Sequence, residues 1–138
     1  MRENCTVQLK GMHEREDTDN EQLTTHHAGV YRQVNGKDVV SFTENLDKDG
    51  HTSKSILKIG DREVELIRKG DVESRLHFVH GENTVTVYNT PFGSMKMNIF
   101  AKKVDVRRLD EEISIVIDYR LTSGNMLLSE SKMEINIK

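Results

Sequence analysis

The chain has 138 residues, of which 35% are hydrophobic and 31% charged, and its 20 Lys and Arg residues nearly balance 23 Asp and Glu residues. A chain of this length fits one domain with a single hydrophobic core, so we expect residues 1–138 to form one domain. The formal net charge of −3 is spread along the chain. This distribution argues against a general affinity for nucleic acid or for an anionic membrane.

Cysteine content and the N-terminal residues bear on the compartment. Cys5 is the single cysteine, so the chain cannot form an intramolecular disulfide. The first residues lack the long apolar stretch of a signal peptide, and no run has the length of a membrane-spanning helix. We therefore expect a cytoplasmic protein without a membrane partner.

From residue 6 onward, apolar and polar residues alternate in short runs, which is typical of strands with one buried face. The first predicted strand covers residues 6–12. The stretch 13–21 has no apolar member and predicts a loop or a partly helical excursion. Further strands are predicted at residues 23–34, 39–46, 53–59, 63–68, 72–79, 84–89, 94–106, 113–121 and 126–137.

Turn-forming residues separate these strands. Gly and Asn accept the positive φ that tight β-turns require, so consecutive strands are expected to pair antiparallel. About ten strands with no helix-length apolar stripe predict an all-β fold, and closure of the sheet would remove its exposed edges. We predict a single up-and-down antiparallel β-barrel, with a two-sheet sandwich as the alternative. Turns are predicted at residues 35–36, 47–50, 60–61, 69–71, 81–83, 90–93 and 123–125.

A family resemblance supports the barrel. The segments that carry it are Tyr88–Gly93 with the long strand that follows, Ile117–Leu121, and upstream Val40–Glu44 and Leu66–Gly70. Together they resemble the YwiB-like family, a bacterial domain of unknown function with a calycin-like, lipocalin-like β-barrel. The resemblance implies the shape and, by analogy with calycins, a ligand inside the barrel. The lipocalin Gly-x-Trp hallmark is absent because the chain has no Trp.

Two charged residues fall on faces that are otherwise apolar. Because side chains two apart point to the same side of a strand, Glu44 shares a face with Val40 and Phe42. By the same rule, Arg68 shares a face with Leu66. A buried charge needs a partner, so we predict that Glu44 and Arg68 meet inside the barrel or at one end. The pair predicts a salt bridge that sets the register, or an Arg68 fork that binds a ligand carboxylate or phosphate.

Three other polar residues are predicted near the same mouth or interior. Tyr88 and Tyr119 end mixed strands, where they fill the core or line the mouth. His80 follows an apolar row and predicts a hydrogen-bonded core or rim histidine. The charged stretch 102–112 predicts a solvated hairpin, and the thioethers of Met95 and Met97 should share one face.

No motif in the chain predicts catalysis, a metal or a cofactor. Adjacent or three-apart histidines on strands point to opposite faces and cannot chelate locally. Cys5 has no neighbouring base, and no Gly-x-Ser-x-Gly elbow occurs. The sequence thus favours a non-enzymatic barrel that binds a small amphipathic or anionic ligand. The alternative is an interaction or scaffold barrel with a filled core, which acts through its outer face or through residues 13–21 on a protein partner that the sequence does not identify.

Overall fold

The computed structural model describes residues 3–15, 18–45, 52–70, 73–90 and 93–138. The turn predicted at residues 47–50, the ends of two predicted strands at 46 and 72, and the Pro91-Phe92 pair lie outside the described residues. The ten strands are β1 (Asn4–Arg15), β2 (Thr18–Val34), β3 (Lys37–Asn45), β4 (Thr52–Ile59), β5 (Glu63–Gly70), β6 (Ser74–Val79), β7 (Asn83–Thr90), β8 (Gly93–Leu109), β9 (Glu112–Ser123) and β10 (Met126–Ile137).

All ten strands belong to one antiparallel sheet in the order β6-β5-β4-β3-β2-β1-β10-β9-β8-β7. Strands that follow one another along the chain are neighbours, and the first strand also pairs with the last. Pairing of β1 with β10 brings the two halves of the meander together. The predicted up-and-down antiparallel barrel of about ten strands is confirmed.

The barrel wall is weakest between β6 and β7. Among the described residues, the backbone ladder here is reduced to one bridge, in which Glu73 and Asn89 exchange hydrogen bonds of 2.9 and 2.8 Å. Farther along, Thr84 Oγ1 donates to the His77 carbonyl at 2.5 Å and Thr86 Oγ1 to the Arg75 carbonyl at 2.6 Å. Side-chain hydroxyls therefore satisfy carbonyls that a regular ladder would pair with backbone N–H groups.

The prediction of a loop or helical excursion at residues 13–21 is wrong for residues 13–15 and 18–21, and residues 16–17 lie outside the described residues. β1 continues to Arg15, β2 begins at Thr18, and the two pair through His13 opposite Glu21. β1 also pairs with β10 as far as Glu14 opposite Glu130. Backbone hydrogen bonds to both neighbours hold the strand without an apolar row, which explains why side-chain composition misled the prediction.

The two ends of the barrel differ in their interior. At the core end, where the turns at 35–36, 60–62, 80–82 and 110–111 lie, the interior is aliphatic and aromatic and almost fully buried. At the opposite mouth end, β3, β5, β7 and β9 finish. The largest fully buried side chains are Phe78, Leu57, Ile59, Leu66, Ile99, Ile115, Ile117, Ile135, Ile137, Val7, Val40 and Val64.

A polar network centred on Arg108 covers the core end. Arg108 Nε donates to Asp38 at 2.8 Å and its Nη1 to Asp61 at 3.2 Å, so it reaches from β8 to the β3–β5 wall. Tyr31 also donates to Asp38. Burial by itself would raise the pKa of Asp38, but hydrogen bonds from Tyr31 and Arg108 and the Arg108 charge hold it below its usual range. The hairpin predicted for residues 102–112 forms between β8 and β9, and its partly solvated Arg108 also pairs with a carboxylate 70 residues away in the chain.

Candidate functional site

Glu44 and Arg68 meet at the mouth end, as the argument from their strand rows predicts. Arg68 Nε donates to Glu44 Oε1 at 3.0 Å, and Arg68 Nη2 donates to Glu44 Oε2 at 3.3 Å. The side chains are only 11% (Glu44) and 21% (Arg68) exposed. This two-pronged contact spans β4, the strand between them, and is the geometry in which a guanidinium binds a carboxylate most strongly.

Surrounding groups keep Glu44 ionised. Burial alone would raise the pKa of Glu44, but the Arg68 charge, the Arg68 hydrogen bonds and a hydrogen bond from Ser55 bring it below its ordinary value. Ser55 Oγ donates to Glu44 Oε1 at 2.6 Å from β4. His27, whose ring lies 5.3 Å from that of Phe42, also acts on Glu44 electrostatically. The pair is therefore a carboxylate and a guanidinium with zero combined charge.

Tyr119 and Tyr88 lie within electrostatic reach of Arg68. Burial, and then Tyr88, raise the pKa of Tyr119 to about 12, while Ser131 and Arg68 oppose the shift. Burial also raises the pKa of Tyr88, and Arg68 again opposes it. The Tyr119 ring packs on Phe78 with centroids 4.9 Å apart. Tyr119 thus joins the aromatic core to the polar mouth, and four of the five predicted site residues share one region.

Small hydroxyl side chains complete this region. Ser55, Arg68 and Ser74 lie opposite one another on β4, β5 and β6. Ser74 is 5% exposed, and its buried Oγ has no hydrogen-bond partner among the described residues. We call the mouth cluster the set formed by Glu44, Ser55, Arg68, Ser74, Tyr88 and Tyr119. Other buried hydroxyls toward the mouth belong to Ser53, Thr86, Ser129 and Ser131.

Apolar side chains at the mouth end remain exposed. Leu23 lies opposite Gly11, Met95 opposite Tyr88 and Met126 opposite Ser123. Side chains two apart on a strand point the same way, so Leu23 on β2 and Met95 on β8 continue the interior-facing rows of their strands. Met126 on β10 does so as well, because its partner Ser123 continues the interior-facing row of β9. Their exposed fractions are 70%, 52% and 66% for Leu23, Met95 and Met126. The mouth therefore combines a polar floor with an apolar rim.

Comparison with known proteins identifies the family. Residues 7–135 match the model of a family described as a domain of unknown function (DUF1934). The chain belongs to this family. A curated relative, "Uncharacterized beta-barrel protein YwiB" of Bacillus subtilis (strain 168), is 30% identical over an alignment of 116 residues that covers 82% of this chain and 79% of the relative.

A solved structure agrees with this DUF1934 assignment. The crystal structure of ywiB protein from Bacillus subtilis superposes with a TM-score of 0.85 at 25% identity, and the match covers 98% of this chain and 90% of that one. The resemblance inferred from the Tyr88–Gly93 and Ile117–Leu121 segments is confirmed. An uncharacterised bacterial β-barrel family is what these comparisons establish.

His80 does not join the other predicted site residues of this DUF1934 barrel. It is exposed in the turn between β6 and β7 at the core end, where its backbone N–H donates to the Arg62 carbonyl at 3.1 Å. Its Nδ1 accepts a hydrogen bond of 3.0 Å from the Val104 N–H. The ring is thus a rim histidine that secures a turn. Grouping it with Glu44 and Arg68 was wrong because the strand ends after Val79, before the row reaches His80.

Sequence reasoning missed the hydroxyl residues. Ser53 and Ser55 alternate with Lys54 and continue the row of Leu57, so the rule that located Glu44 would also have found them. Ser74 offered a weaker signal, since it begins a short strand beside residues 71–72, which lie outside the described chain. Serine carries little information by itself because it is common on exposed strand faces and in turns.

No metal site emerges from the described residues. Within them, no three His, Cys, Asp or Glu side chains converge on one point. A shallow depression of about 400 Å³ lies on the outer face of β1, β10 and β9, beside Lys10 and Glu134. These two side chains face each other at 4.0 Å, so their charges satisfy one another. No helix in the described part of the chain has the length and apolar character needed to cross a membrane.

Proposed function

We propose that this protein is a binding module that holds a small amphipathic molecule at the mouth of its barrel. Ser74 carries the proposal, since its buried hydroxyl has no hydrogen-bond partner among the described residues and lies opposite Arg68. Leaving a buried polar group unsatisfied costs about 1–3 kcal/mol. A polar group of a ligand would recover that cost.

The rim supports the amphipathic character of the ligand. Leu23, Met95 and Met126 keep half or more of their surface in contact with solvent at interior-phase positions. A hydrocarbon part of the ligand that covered Met95 and Met126, on β8 and β10 at either side of the end of β9, would gain about 25 cal/mol for each Å² of apolar surface removed from water. Methionine suits this role because its flexible thioether adapts to varied shapes.

A binding role fits the chemistry of Glu44 better than a catalytic one. A general acid at neutral pH needs a carboxyl pKa raised toward 7, whereas Arg68 and Ser55 lower that of Glu44. We therefore place the protein among non-enzymatic binders of a small molecule rather than of nucleic acid or membrane. We also place it in the cytoplasm, because Cys5 is a free buried thiol that a reducing compartment preserves.

Native mass spectrometry of protein purified without refolding tests this function. We expect a reproducible bound mass in the wild type that is lost in Arg68→Met. Arg75→Met is the matched control, because Arg75 makes a similar two-pronged contact with Glu65, at 3.0 and 3.1 Å, on the outer face of β5 and β6. The control variant should retain the bound mass.

A clean unliganded mass in the wild type under gentle ionisation would overturn the proposal. It would instead favour an interaction protein with a filled barrel that acts through its outer face. Should Arg68→Met fail to fold, Arg68→Lys keeps the charge but removes the planar fork, and it should lower the bound fraction. Equal loss of the bound mass in Arg75→Met would also count against the mouth cluster as the site.

A further inference from the structure

The mouth cluster has no spare positive charge. Arg68 is bound through Nε and Nη2 to both oxygens of Glu44. Among the described residues, the other arginine that approaches the interior, Arg108, lies at the core end and is paired with Asp38 and Asp61. A carboxylate or phosphate that bound Arg68 would have to displace Glu44 or share a guanidinium whose charge Glu44 already neutralises. Both alternatives cost several kcal/mol.

Hydroxyl groups, by contrast, are abundant and one is unsatisfied. Ser74 Oγ is buried and without a partner among the described residues, on the strand next to Arg68. Each Ser or Tyr hydroxyl both donates and accepts, so such groups match a ligand that also does both. Alcohol and sugar hydroxyls have this property, whereas a carboxylate only accepts.

The apolar rim indicates the second part of the ligand, a hydrocarbon chain. Leu23, Met95 and Met126 remain exposed at positions in phase with the barrel interior. Beneath the cluster, Leu66 and Leu76 are buried in the packed core end. A hydrocarbon chain would therefore meet exposed apolar side chains at the rim, whereas the side chains below the cluster are buried. The polar end of the ligand would face the floor of the mouth and its chain would lie along the rim.

From these observations we propose that the mouth cluster binds the uncharged, hydroxyl-bearing end of an amphipathic molecule, such as a glycerol or sugar group attached to a hydrocarbon chain. The inference rests on the proposed binding function and adds the chemical class of the ligand. It selects against fatty acids and lipid phosphates, in which the polar end is an anion. Glu44 is the residue that makes this selection, because it occupies the Nε–Nη2 edge of Arg68 and neutralises its charge.

Isothermal titration calorimetry with two probes that share one acyl chain tests the class. The probes are octanoyl glycerol and octanoate, each kept below its aggregation concentration. We expect the wild type to bind octanoyl glycerol about 10-fold more tightly than octanoate, which corresponds to about 1.4 kcal/mol. In Glu44→Gln, Arg68 loses its counter-charge, so the preference should reverse in favour of octanoate.

A serine comparison adds a check that does not require the Glu44 variant to fold. Ser74→Ala should weaken octanoyl glycerol binding about 5-fold, as loss of one neutral hydrogen bond does. Ser94→Ala is the matched control, because the exposed Ser94 hydroxyl donates to Asn89 outside the interior. This control should leave the affinity unchanged.

The outcomes separate this inference from the proposed function. A wild type that binds octanoate as tightly as octanoyl glycerol, or more tightly, would overturn the inference and leave a binding function in place. Absence of heat with both probes in the wild type and in Glu44→Gln would overturn the two together. Equal effects of Ser74→Ala and Ser94→Ala would also contradict the inference, since they would remove Ser74 from the site.

Discussion

Two neighbouring rows of residues that lie opposite one another across strands, called here the core register and the mouth register, differ sharply in chemistry. Toward the core end, Leu57, Leu66 and Leu76 lie opposite one another on β4, β5 and β6. Two residues nearer the mouth, a step of about 7 Å, the same strands present Ser55, Arg68 and Ser74. Regular antiparallel pairing runs through both registers, so the backbone does not distinguish them. The core register stabilises the fold, and the mouth register is where the side chains favour a ligand.

The largest expected effect comes from a substitution in the core next to the core register, at Phe78, two residues along β6 from Leu76. Phe78 is fully buried and contacts Tyr119, so Phe78→Ala should lower the free energy of unfolding by about 4 kcal/mol through lost burial and a cavity. Urea denaturation followed by circular dichroism measures this change. Met95→Ala, at a position 52% exposed, is the control and should change stability by less than about 0.5 kcal/mol. Similar losses in the two variants would mean that the mouth is as tightly packed as the core.

Breaking the charge pair should have the next largest effect. Arg68→Met leaves Glu44 buried without its partner and should cost about 3 kcal/mol of unfolding free energy. On the outer face, the Arg75 side chain is 67% exposed and that of its partner Glu65 is 11% exposed, so Arg75→Met should cost less than Arg68→Met. Denaturation of Arg68→Met, Glu44→Gln and the double variant measures the coupling between the two residues, and additive losses would contradict their contact.

Acid titration gives a second readout of the same pair. Because the folded-state pKa of Glu44 lies below its ordinary value, the pair contributes stability above the ordinary carboxyl range. That contribution is lost as the pH falls through the lowered folded-state pKa. Glu44→Gln should therefore lose less stability than the wild type between neutral and acidic pH. An identical pH dependence in both proteins would show that Glu44 does not titrate with a lowered pKa.

The smallest effects should separate two serines of the mouth register. Ser55→Ala removes a hydrogen bond to the ionised Glu44 and should cost about 1.5 kcal/mol. Ser74→Ala removes a hydroxyl without a partner among the described residues, so unfolding free energy should stay within about 0.5 kcal/mol of the wild type or rise. Thermal and urea unfolding of unliganded protein measure both changes. A Ser74→Ala loss equal to that of Ser55→Ala would show that Ser74 Oγ has a partner.

Period-two alternation and turn residues were sufficient to predict the strands and their antiparallel pairing, because both follow from local sequence, whereas closure into a barrel was inferred from the need to remove sheet edges and from the family resemblance. Alternation also located Glu44 and Arg68, since a charge on an apolar row needs a partner. The same reasoning failed for His80 and for residues 13–21. In both cases the outcome depends on where a strand stops and which backbone it pairs with, and side-chain polarity does not report either.

The sequence by itself determined the β-class, the meander of strands and the presence of two charges on interior rows, because alternation and turn residues act over a few neighbouring positions. Only the tertiary structure decided that β1 pairs with β10, that Arg108 reaches Asp38, and that Ser74 lies opposite Arg68 without a partner of its own among the described residues. These relations join residues on strands that pair or face each other only after the barrel forms. The physical reason is that closure sets the register across strands, and the register decides which polar groups meet inside the barrel.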